Sequence, residues 1–133
     1  MQTSNTDNKR PQTGLIKEYF RNGQLSNVGK YLNGVKTGVW KYYLRNGVLK
    51  ATGAYAKGEL TGLWKWYRHN GKLLQVGKFN KGKQSGVWKR YHASGGLYDA
   101  GSYVDGKKTG VWKYYDTSGT LKREKNWSKK GES

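Results

Sequence analysis

The stretch Gly38-Val39-Trp40-Lys41-Tyr42-Tyr43-Leu44-Arg45-Asn46-Gly47-Val48-Leu49-Lys50-Ala51-Thr52-Gly53-Ala54-Tyr55-Ala56-Lys57-Gly58 decides how this chain folds. Val39 to Tyr43 is dense in strand formers. Asn46-Gly47 follows as a hairpin turn pair, because both residues tolerate positive φ. A second strand is expected from Leu49 to Tyr55, and Lys57-Gly58 then turns the chain again. No part of the sequence has the 3.6-residue apolar period of a helix.

Outward from this stretch, the same unit recurs every 24 residues. Trp40, Trp64, Trp88 and Trp112 hold one position, and Ile16 fills it in the first copy. Gly14, Gly38, Gly62, Gly86 and Gly110 precede it by two; Tyr19, Tyr43, Tyr67, Tyr91 and Tyr115 follow it by three. The turn pairs are Asn22-Gly23, Asn46-Gly47, Asn70-Gly71, Ser94-Gly95 and Ser118-Gly119, and each unit closes with Gly29, Gly53, Gly77 or Gly101 before an aromatic residue. The copies are 13–36, 37–60, 61–84, 85–108 and 109–132, after a tail, 1–12, expected to be flexible. The expected fold is all-β: an elongated single-layer antiparallel β-meander of five 24-residue hairpin repeats. Ten strands at ~4.8 Å span about 48 Å before twist.

Alternation along a strand separates two faces. Leu49, Ala51, Gly53 and Tyr55 are expected to point one way, and Lys50, Thr52 and Ala54 the other. A glycine in mid-strand weakens a sheet unless a ring covers the bare backbone. Trp40 or Tyr43 is the expected cover for Gly29 or Gly53, and likewise along the array. This gives a structural role to Trp40, Trp64, Trp88 and Trp112, to Tyr43, Tyr67, Tyr91 and Tyr115, and to Gly53, Gly77 and Gly101. The two open edges need protection, for which the tail before Thr13 and Lys129-Lys130 are candidates.

The unit from Gly38 through Gly58 resembles the MORN repeat, and more closely its bacterial variant, in which Trp-x-x-Tyr precedes the Asn-Gly turn. The resemblance covers nearly everything after residue 12. It implies an elongated single-layer sheet. Members of the wider family act as scaffolds, dimerisation modules and protein-binding surfaces, and binding of acidic phospholipids has been proposed for them. Some bacterial relatives are described as antitoxins of toxin–antitoxin pairs. The first copy departs from the pattern at Ile16 and the last at Lys125, as terminal caps would.

Candidate catalytic chemistry is sparse. There is no cysteine, hence no disulfide, thiolate site or cysteine nucleophile. His69 and His92 sit at non-equivalent places in two turns and have no spacing-matched ligand partners, so both read as solvated turn residues. The acidic residues are scattered and no phosphate-loop motif occurs. No enzyme, metal or cofactor is expected. No apolar run approaches the ~18 residues of a membrane helix, and the polar start does not read as a secretory signal, so a cytoplasmic location is expected.

The formal net charge of +18 is the main functional clue. Self-repulsion at that level points to an anionic partner. Lys17, Lys41, Lys65, Lys89 and Lys113 each follow the Trp position. They should form a column with ~10 Å steps on the face away from the Trp residues. The third copy adds Arg68, Lys72, Lys81 and Lys83 as further contacts for an anion. The column of Trp66 varies between copies as Glu18, Tyr42, Arg90 and Tyr114, which makes Tyr42, Trp66, Arg90 and Tyr114 candidate contact residues. The leading expectation is a non-enzymatic scaffold docking on an acidic protein or assembly. Nucleic-acid binding through rings interleaved with cations, attachment to an anionic membrane surface and antitoxin-type immunity are the alternatives.

Overall fold

The computed structural model describes residues 12–128, which form ten antiparallel strands in one open sheet. The strands are β1 (Gly14–Tyr19), β2 (Leu25–Leu32), β3 (Val35–Tyr43), β4 (Leu49–Ala56), β5 (Glu59–Tyr67), β6 (Leu73–Asn80), β7 (Lys83–Tyr91), β8 (Leu97–Val104), β9 (Lys107–Tyr115) and β10 (Leu121–Asn126). Their order in the sheet is their order in the chain. The fold is therefore the expected meander, and no helix occurs among the described residues. Strands β3, β5, β7 and β9 begin at Val35, Glu59, Lys83 and Lys107, so the copy limits 37, 61, 85 and 109 fall two residues inside them.

Two kinds of turn alternate. At one end, Asn33-Gly34, Lys57-Gly58, Lys81-Gly82 and Asp105-Gly106 all have positive φ at both residues, the two-residue type I′ geometry that matches strand twist. At the other end the sequence expectation needs correction: of Asn46-Gly47 only Gly47 has positive φ, at 89°. Gly47 N donates to Leu44 O at 2.9 Å, and the Asn46 side-chain oxygen accepts from Val48 N at 3.0 Å. Asn serves here as a local acceptor, the Asx role, and the left-handed residue is the glycine alone.

Successive turns are tied together. Gly34, Gly58, Gly82 and Gly106 donate N–H to the carbonyls of Gln12, Lys36, Leu60 and Gln84 at 2.8–3.0 Å. Gln12 thus belongs to the first unit rather than to the tail; residues 1–11 and Lys129-Lys130 lie outside the described residues. The edge strands are short, and every residue of β10, including Lys122, Arg123 and Lys125, is exposed. A short charged edge discourages pairing with another sheet.

The core is a set of rings laid on glycines. A methyl group built on Gly29, Gly53, Gly77 or Gly101 would fall inside the indole of Trp40, Trp64, Trp88 or Trp112, respectively. Each Trp therefore covers the glycine of the preceding strand, and the tyrosine alternative is excluded. The indole N–H then reaches the carbonyl one residue beyond that glycine: Trp40 to Lys30, Trp64 to Ala54, Trp88 to Lys78 and Trp112 to Ser102, at 3.0–3.1 Å. The four indoles are only 1–4% exposed. Glycine is needed for close approach, and the hydrogen bond removes the cost of burying a donor.

The direction of this overlap explains both terminal departures. Among the described residues position 16 has no preceding strand to cover, and Ile stands there in place of Trp. Likewise, among the described residues no following strand lays a ring on position 125, and Lys stands there in place of glycine. Between the Trp residues stand Tyr31, Tyr55, Phe79 and Tyr103, edge-on to the indoles at centroid distances of 5.2–6.3 Å. The zigzag of rings runs unbroken from Tyr31 to Trp112 and acts as the core of a sheet with no second layer.

Tyr55 lies within this zigzag and its hydroxyl shares a 2.8 Å hydrogen bond with Tyr42. Burial, reinforced by that bond, pushes the Tyr55 phenol up to about 12, and burial also raises Tyr42. Because the folded value lies above the unfolded one, the associated stability is complete below the ordinary value of 10.0 and is lost as pH rises toward 12. In a spectrophotometric titration, Tyr42 and Tyr55 should ionise above the ordinary tyrosine value. Tyr55→Phe should remove the step at about 12; its persistence would contradict the assignment.

Candidate functional site

The pairing register turns the repeat into rows that cross the whole sheet. One row reads Lys17, Val28, Lys41, Thr52, Lys65, Val76, Lys89, Ala100, Lys113 and Glu124, each the direct partner of the next. The five lysines thus form a column two strands apart, about 9.6 Å per step. Among the described residues none of them is in an ion pair. By alternation the row lies on the back of the sheet, away from the indoles.

A second row on the back face was overlooked in the sequence. The residue before each Trp position is aliphatic in every copy: Leu15, Val39, Leu63, Val87 and Val111. All five are exposed, by 46–63%. This column runs beside the lysines, one alternation step along each strand. The signal was present in the sequence, but the burial of its Trp neighbour drew the pattern toward core packing. Tyr67, assigned to packing, also faces this side: it lines a shallow depression of about 280 Å³ with Val39, Thr52, Ala54, Leu63 and Lys65.

The remaining sequence candidates lie toward the two ends of the sheet. Arg68 extends along the Asn-Gly end of the sheet and donates to Tyr91 O at 2.9 Å, so it ties two turns together. Lys72 follows the turn at that same end, whereas Lys81 is the first residue of the type I′ turn at the opposite end and Lys83 opens β7 just after it. His92 is a correction to the solvated-turn reading: it is half-buried, its Nε2 lies 2.9 Å from Tyr115 O, and its ring packs edge-on to Tyr98.

Tyr42, Trp66, Arg90 and Tyr114 fall on the front face, in the row Glu18, Asn27, Tyr42, Ala51, Trp66, Gln75, Arg90, Asp99, Tyr114 and Arg123. The expected alternation holds from Ala51 onward but not through Leu49, because the ladder slips at Lys50. Tyr42 stacks on Trp40 and Trp66 on Trp64, both at 6.0 Å. Lys36 Nζ lies over Trp40, Tyr42 and Tyr55 at 4.7–5.5 Å and donates to the Tyr42 hydroxyl at 3.1 Å. Lys108 caps Trp112 in the same way at 4.5 Å. These rings are interlocked with the core and are not interleaved with the lysine column.

The fourth copy differs. Arg90 occupies the ring position, and its guanidinium folds onto Asp99, the direct cross-strand partner. Arg90 Nη2 donates to Asp99 Oδ2 at 2.6 Å, and Nε lies 3.2 Å from both carboxylate oxygens. Asp99 is 0% exposed, and this hydrogen bonding holds the Arg90 guanidinium above its ordinary value. Beside the pair, Gln75, Gln84, Trp88, Tyr103, Lys108 and Trp112 complete the lining of a cavity of about 150 Å³. Among the described residues no cluster of three or more His, Cys, Asp or Glu has metal-ligand geometry, and no helix is long and apolar enough to cross a membrane.

A meander of glycine-seated aromatic hairpins, with one regular free face, defines a repeat protein built to present a surface. The profile of the MORN repeat variant matches residues 12–33, 36–57, 60–81 and 108–129. Those matches cover about two thirds of the chain, and the protein belongs to this family of binding and scaffold modules, which is typically non-enzymatic. The matches pass over residues 82–107, which contain Arg90 and Asp99. No curated protein matches the chain. One similar solved structure is described as "Crystal structure of GtfA/B complex bound to UDP and GlcNAc", with a TM-score of 0.39 and 19% identity. That match covers 68% of this chain and 22% of the other.

Proposed function

We propose that the chain is a non-enzymatic docking scaffold whose back face binds an acidic protein. The observation that supports this best is the row of Lys17, Lys41, Lys65, Lys89 and Lys113, in cross-strand register and without ion-pair partners among the described residues. Isolated lysines serve solubility, but a regular row raises the local potential over one surface and steers an anionic partner onto it. The adjacent aliphatic row supplies apolar area that desolvates on contact, which charge alone does not.

Nucleic acid is the weaker reading. It called on Tyr42 and Trp66 as stacking platforms beside the cations, and those rings face the other way, into the aromatic stack. The test is recovery of partners from the native host at ~150 mM salt, where long-range attraction between exposed charges is already screened. The wild-type chain should retain a discrete acidic protein, and the triple variant Lys41→Glu, Lys65→Glu, Lys89→Glu should lose it while keeping its circular-dichroism spectrum. Equal recovery by both chains, or recovery of nucleic acid alone, would refute the reading.

A further inference from the structure

The geometry points to a specific shape of partner: we propose that the back face receives an amphipathic helix with a carboxylate at every seventh residue, lying across the strands. This inference rests on the acidic-docking reading and adds the form and register of the ligand. Two strand spacings put successive lysines about 9.6 Å apart. Seven residues of α-helix rise about 10.5 Å and return to nearly the same face. Carboxylates at that interval therefore meet Lys41, Lys65 and Lys89 in turn. A partner strand does not do this: three residues span about 10 Å but reverse the side chain's direction.

The width of the face agrees. Val39, Lys41 and Tyr43 lie on one strand at alternate positions, so the aliphatic, lysine and tyrosine rows together span about 13 Å. A helix with its side chains is about 10–12 Å across, so it covers the lysine row and an apolar row together. Its carboxylates would sit on the lysines, and apolar residues three or four positions away would rest on Val39, Leu63 and Val87. These three are 63%, 51% and 56% exposed, so they have apolar surface still to bury. Sheet twist limits a straight helix to about three lysines, a contact roughly 20 Å long.

The test uses fluorescently labelled synthetic peptides of about three heptads and the full-length chain, measured by anisotropy at ~50 mM salt. One peptide carries Glu at every seventh position with leucines beside it. A second has the same composition and helicity with Glu at every fifth position. The heptad peptide should bind at least about tenfold more tightly, and Lys65→Glu, as well as the milder Lys65→Gln, should weaken it. Equal binding of the two peptides, with both weakened by Lys65→Glu, would overturn the heptad register while leaving acidic docking intact. Binding of neither peptide, or a stronger response to oligothymidylate or anionic vesicles, would overturn the docking reading itself.

Discussion

Replacing Gly53 by alanine is expected to destabilise the chain by about 3–5 kcal/mol, the range seen when a large buried aromatic side chain is lost. The added methyl group would fall inside the Trp64 indole. The ring must lift, and three things go with it. Its 2%-exposed surface returns to water, its 3.0 Å hydrogen bond to Ala54 O breaks, and its edge-on contacts with Tyr55 and Phe79 open. Each strand pair is stabilised mainly by its neighbours, so damage at β4 and β5 also weakens the coupling between the two halves of the array. Urea unfolding should show a lower midpoint, with the transition broadening if the halves uncouple. Gly96→Ala is the control: it has no positive φ and open space at the would-be Cβ, so little change is expected. If Gly53→Ala unfolds within about 1 kcal/mol of the wild type, a margin typical of harmless surface changes, the ring-on-glycine account fails.

That account was mostly legible in the sequence. A glycine in mid-strand, 11 residues before a tryptophan in copy after copy, has few explanations other than a covering ring. What the sequence left open was direction. Gly53 is the direct cross-strand partner of Trp40, yet it is covered by Trp64, and only the register and the ring geometry decide between them. The turn chemistry was half legible for a similar reason. Asn-Gly fits a type I′ turn by propensity, but the longer turn here uses the Asn side chain instead. The lysine row followed from periodicity alone, because period-two alternation and a constant 24-residue repeat fix both its face and its spacing. The front-face candidates did not follow. Tyr42 and Trp66 vary between copies, and variation was read as availability to a partner, whereas the structure engages them with the fixed indoles. The Arg90–Asp99 pair was hidden because the two residues are nine positions apart and face each other only across the hairpin.

That pair carries the second large effect, and its three variants should rank in an order that burial dictates. Arg90 is 47% exposed at its side chain and Asp99 only 1%. Arg90→Ala leaves a buried carboxylate without the donors that hold it, since its side-chain hydrogen bonds among the described residues all come from Arg90. Breaking a fully buried pair costs about 3–5 kcal/mol, and the half-exposed guanidinium places this one toward the lower end. Asp99→Ala leaves a cation that can turn to water, so the loss should be about 1 kcal/mol or less. The informative variant is the double change Arg90→Tyr with Asp99→Ala, which installs the combination already present at Tyr42 and Ala51 in the second copy. It replaces a buried ion pair by a ring stacked between Trp88 and Trp112, and such replacements are often neutral or stabilising. Thermal unfolding should therefore rank the chains with the double variant at or above the wild type, Asp99→Ala slightly below it and Arg90→Ala lowest. Equal losses for the two single variants would contradict the asymmetric burial on which the ranking rests. If the double variant is stabler, the pair is not kept for stability. Its position in the stretch that the family profile passes over, beside a cavity of about 150 Å³, then makes recognition the property to measure in that variant. An unchanged partner affinity would confine recognition to the back face, and a lost one would extend it to the front.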